Sequence, residues 1–95
     1  MDIQKYIYNQ TGILLPISGG NGQLQDQAVV IGSDAKYMLT QVENEFINAM
    51  LDEGYWKKVE QSLINIDDKK YDKITIYNFL DDESTIKRVF WFDVT

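Results

Sequence analysis

Tyr71-Asp72-Lys73-Ile74-Thr75-Ile76-Tyr77-Asn78-Phe79 decides the fold. Ile74 and Ile76 fall on one side of an extended chain and Thr75 and Tyr77 on the other, the period-two signature of a strand with one face in a core. Working outward, Leu80 to Thr85 is polar and carries Asp81-Asp82-Glu83, a turn. Ile86 to Val94 follows as the last strand, with Ile86, Phe90, Phe92 and Val94 on one face and Trp91 opposite. On the other flank, Asn65 to Lys70 is a second polar turn. Tyr55 to Ile66 before it is a strand whose apolar residues change parity: Trp56, Ile64 and Ile66 are even, Tyr55, Val59 and Leu63 odd. A bulge near Gln61 reconciles the two sets. Three strands joined by short polar turns predict an antiparallel meander.

Upstream, the period lengthens. Ala35, Met38, Leu39, Val42, Phe46, Ala49 and Met50 recur every three or four residues, predicting one long helix capped by Ser33 or Asp34 and stopped by Gly54. Gln41, Glu45, Asn48 and Asp52 form its wet stripe. Ala28 to Ile31 reads as a short buried strand. Ile13 to Ile17 holds the only proline, Pro16, and reads as an extended segment or edge strand. Residues 2–10 predict a short helix capped by Asp2 and ended by Gly12. The expectation is a single α+β domain over 1–95: an antiparallel sheet of about four strands, with a C-terminal three-stranded meander, packed on one long central helix with a short N-terminal helix.

The 95 residues contain no cysteine and no histidine. Disulfides, thiolate metal sites and cysteine nucleophiles are excluded, and with histidine goes the commonest base near neutral pH. The net charge of -6 opposes general phosphate-backbone binding. The start of the chain lacks a basic stretch followed by an apolar one, so no signal peptide is read. No window approaches the roughly 18 apolar residues of a membrane span. The expected location is the cytoplasm. The many Ile, Asn, Lys and Asp residues suggest an AT-rich genome, bacterial or phage.

Chemical motifs are sparse. Ser18-Gly19-Gly20-Asn21-Gly22 invites a phosphate-cradle reading, in which backbone amides would hold a ligand. No Lys-Ser or Lys-Thr follows it, and it leads into a strand, so a P-loop is not formed. Asp81-Asp82-Glu83 lacks the alternating spacing of a calcium loop. Asp67, Asp68 and Asp72 are offset by Lys69, Lys70 and Lys73. Asp93, between Phe92 and Val94, should point away from the Phe90/Phe92 face. Ser18, Ser33, Ser62 and Ser84 have no histidine to activate them, and no Ser-x-x-Lys occurs. The chain is therefore read as a non-enzyme without cofactor or metal.

Charge is uneven. Residues 34–54 set Lys36 against Asp34, Glu43, Glu45, Asp52 and Glu53, whereas residues 55–95 nearly balance, with seven bases and eight acids. An acidic helix face steers a basic partner. Lys57, Lys58, Lys69, Lys70, Lys73, Lys87 and Arg88 are interleaved with acids and include a single arginine, so nucleic-acid binding is not expected. Val89, Trp91, Tyr77 and Tyr55 gather on the second sheet face, which the short helix could cover or which could form a homodimer interface. The functional expectation is a small protein-binding or inhibitory module of the immunity, antitoxin or anti-defence kind. Its partner-binding residues are Glu43, Glu45, Asp52, Glu53, Asp81, Asp82, Glu83, Trp91 and Tyr77. The alternatives are a self-associating protein using the aromatic sheet face, and a small-ligand binder or enzyme using the glycine loop.

Overall fold

A computed structural model describes residues 2–95. Helix α1 (Ile3–Thr11) is followed by strand β1 (Ile17–Gly19), a 3-10 turn (Gln25–Gln27) and strand β2 (Val29–Ile31). A second 3-10 turn (Ser33–Met38) enters helix α2 (Leu39–Met50). Strands β3 (Tyr55–Ile66), β4 (Lys69–Phe79) and β5 (Thr85–Asp93) complete the chain. The sheet order is β1-β2-β5-β4-β3.

The α+β class and the meander are as the alternation predicts. The sheet differs in having five strands, and β2 runs parallel to β5 through Val29–Phe92 and Val30–Asp93. β1 begins only at Ile17, so Ser18 and Gly19 belong to an edge strand and not to the loop.

Asp2 caps α1 by accepting the Lys5 N–H on Oδ1 at 3.1 Å, and Gly12 ends it in a left-handed conformation. The long helix departs from expectation at both ends. Ser33 and Asp34 make no side-chain cap. Their segment is a 3-10 turn, and α2 proper stops at Met50, where Leu51 is extended. Gly54 instead opens β3. Its φ is +76°, and a Cβ there would meet the Phe79 carbonyl oxygen, so only glycine lets the chain enter the sheet at this point.

Both helices lie on one side of the sheet. Ile3 and Ile7 of α1 and Val42, Phe46 and Ile47 of α2 join Ile17, Val29, Ile31, Ile74, Ile76, Phe90 and Phe92 in one buried core. Phe46 is its centre, edge-on to Phe90 at 6.2 Å and to Phe92 at 5.6 Å. The β3 bulge falls between Lys58 and Glu60, two residues before the expected place. It carries Trp56 and Leu63, of opposite parity, to the helix side, and leaves Tyr55, Ile64 and Ile66 on the other. The turn between β3 and β4 is two residues, Asp67 and Asp68, both at positive φ, as a tight hairpin requires.

Candidate functional site

The loop between α2 and β3 and the turn between β4 and β5 lie at the same end of the sheet. Asn78, buried on β4, ties them: its Nδ2 donates to the carbonyls of Glu53 at 3.2 Å and Tyr55 at 3.1 Å, and its Oδ1 accepts from Arg88 Nε at 3.1 Å. This brings the two acidic stretches together. Partial desolvation, then the Asp81, Asp82 and Asp52 carboxylates, hold the exposed Glu53 above its ordinary range. Asp82 is lowered because Ser84 donates to it from hydroxyl and backbone N–H. Among the described residues the one ion pair is Lys69–Asp93, at 3.7 Å, so no carboxylate of this corner is paired with a cation. Glu83 is exposed in the same turn, at φ +72°.

An aromatic cluster adjoins the acids. Tyr55, 68% exposed, stacks on Phe79 with centroids 5.0 Å apart, and Tyr77 meets Phe79 edge-on at 6.4 Å. These side chains head the uncovered face of the sheet. Lys73 sits over Trp91 at 5.1 Å and Tyr71 packs edge-on to it at 6.1 Å. Helix α1 does not cover this face, because its buried residues enter the same core as those of α2.

Glu43 corrects the sequence reading. It was expected on a wet acidic surface, but its side chain is fully buried against the sheet. Glu45 is half-buried on α2 and is not among the charges acting on Glu53. The acidic surface is therefore an inter-loop corner of Asp52, Glu53, Asp81 and Asp82, not a helix face. Buried Asp72 of β4 faces Glu43 and accepts from Gln61 Nε2 at 2.7 Å. The hint was present: Glu43 stands four residues after Leu39 and four before Ile47, in the apolar stripe.

The glycine loop has a structural explanation. The Gly22 carbonyl accepts the Trp91 N–H at 2.7 Å, continuing the hydrogen bonding of β5 past the end of β2. A Cβ on Gly22 would meet Val29 at 3.1 Å in a backbone of φ +79°. Asn21 accepts the Gln23 N–H at 3.0 Å. Gly19 and Gly20 line an open groove of about 510 Å³ with Gln27, Val30, Tyr71 and Asp93. Asp93 points away from Phe90 and Phe92 as expected, yet it is buried. Burial pushes it up, but the Thr95 hydroxyl and N–H and the Lys69 ammonium outweigh that and leave it lowered. Its lone pairs serve the C-terminal turn.

Among the described residues no three side chains of metal-binding type are placed to share an ion. No helix among them is long and apolar enough to cross a membrane. No family model, curated protein or solved structure matches the chain.

Proposed function

We propose that the protein is a non-catalytic cytoplasmic module that binds, and by binding inhibits, a protein partner with a basic surface. The carrying observation is the corner where Asp52, Glu53, Asp81 and Asp82 converge without an ion pair, beside the exposed Tyr55 stacked on half-buried Phe79. Carboxylates around an aromatic centre suit lysine and arginine side chains, which can pair at the rim and lie on the rings. The uncompensated field also steers a basic partner and raises its on-rate.

A pull-down with tagged protein at low and high salt tests this. A stoichiometric partner should be lost at high salt and lost in a variant carrying Asp52→Lys, Glu53→Lys, Asp81→Lys and Asp82→Lys. Undiminished capture by that variant would remove the corner from the reading.

A second reading is self-association through the face bearing Val89, Trp91 and Tyr77. It is favoured by both helices packing on the opposite side of the sheet. Light scattering at high protein concentration distinguishes it, and a monomer would count against it.

A further inference from the structure

Glu43 is fully buried, and neither of its carboxyl oxygens receives a hydrogen bond. Asp72, across the interface on β4, is buried as well. Its Oδ2 accepts from Gln61 Nε2 at 2.7 Å, and Gln61 Oε1 accepts from Lys58 Nζ at 2.8 Å. A line of hydrogen bonds thus runs from an ammonium through an amide to a carboxylate and stops at Glu43. An ionised Glu43 would have no donor and would face a second carboxylate. A neutral Glu43 carries an O–H, and Asp72 lies within hydrogen-bond reach to accept it.

We infer that Glu43 and Asp72 share one proton across the α2–β4 interface, and that this proton fastens the helix to the sheet and releases it when lost. The charged groups facing Glu43 are Asp72 from β4 and Lys58 from β3; β5 presents Phe90 and Phe92 to this core. Burial, then the Asp72 hydrogen bond and charge, push Glu43 up to about 9, while Lys58 pulls the other way. On ionisation two carboxylates meet in the core with nothing to separate them, and α2 must lift to admit water. This inference does not depend on what the acidic corner binds.

Carbon-detected NMR titration of the Glu43 side-chain carboxyl, with amide exchange along α2 corrected for the intrinsic pH effect, tests it. The carboxyl should titrate near pH 9, and α2 protection should fall at least tenfold through that step. Glu43→Gln keeps a donor for Asp72 and should hold α2 protection flat over the same range. Asp72→Asn should bring the Glu43 midpoint down by a unit or more, since the like charge is gone. Titration of Glu43 in the ordinary carboxylate range would overturn the inference, as would equal loss of α2 protection in wild type and Glu43→Gln. The wild-type titration decides the matter even if a variant does not fold.

Discussion

Arg88 donates from Nε to Oδ1 of Asn78 at 3.1 Å, joining β5 to β4 by side chains as well as by the ladder. Asn78 uses its other end on the Glu53 and Tyr55 carbonyls, so one buried amide holds the loop after α2 against the sheet. Asn78→Leu keeps the volume but leaves two carbonyls and a guanidinium without their partner. The loss should be roughly 2–4 kcal/mol, read as a lower urea midpoint.

Gly54→Ala forces a side chain into the left-handed region and against the Phe79 carbonyl oxygen. We expect a loss of about 2–4 kcal/mol and a displaced Tyr55. Thermal melting gives the first, and the Tyr55 ring shifts in an NMR spectrum give the second.

Stability should decline as pH rises through the neutral range. Glu43 binds its proton more tightly folded, at about 9, than at its ordinary value of 4.5. The folded state therefore holds more protons between these values, and the slope of unfolding free energy with pH is negative there. The contribution is complete below about pH 4.5 and is lost by about pH 9. At 1.36 kcal/mol per unit, the change from pH 4.5 to pH 7 is roughly 3 kcal/mol. Urea unfolding of wild type and Glu43→Gln at pH 5, 7 and 9 checks it: the variant should lack the decline.

Asp81→Asn removes the like charge that acts most strongly on Glu53. The Glu53 titration should move down toward the usual carboxylate range, while Asp82, held by Ser84, stays lowered. Side-chain carboxyl NMR reads both in one experiment. An unmoved Glu53 would mean that the two loops are further apart than the structure places them.

Much of this architecture was written in short-range pattern. The Tyr71–Phe79 alternation specifies which residues of β4 face the helices, because side chains alternate strictly on a strand. Asp2 and Gly12 mark α1 by local capping chemistry. The parallel pairing of Val29 and Val30 with Phe92 and Asp93 has no such mark. It joins segments more than sixty residues apart, and it follows from the two apolar strands seeking the same core. The acidic corner was half legible. Asp52, Glu53, Asp81 and Asp82 were identifiable as exposed acids, but their meeting depends on Asn78 folding one loop onto another. Glu43 was misplaced because its charge was counted with its neighbours, although its helical position lies in the apolar stripe.

The bulge at Val59 has a consequence for behaviour in concentrated solution. β3 is the outer strand of the sheet, twelve residues long, with one row of backbone donors and acceptors unpaired. An edge of that length would template the addition of strands from other molecules. The offset between Lys58 and Glu60 breaks the row into two short runs whose hydrogen-bonding groups do not continue in register. An incoming chain can match one run or the other, but not both. We expect this break to limit strand addition at the edge, and deletion of Val59 to restore a continuous template, read as faster thioflavin-detected fibril formation than wild type at equal concentration.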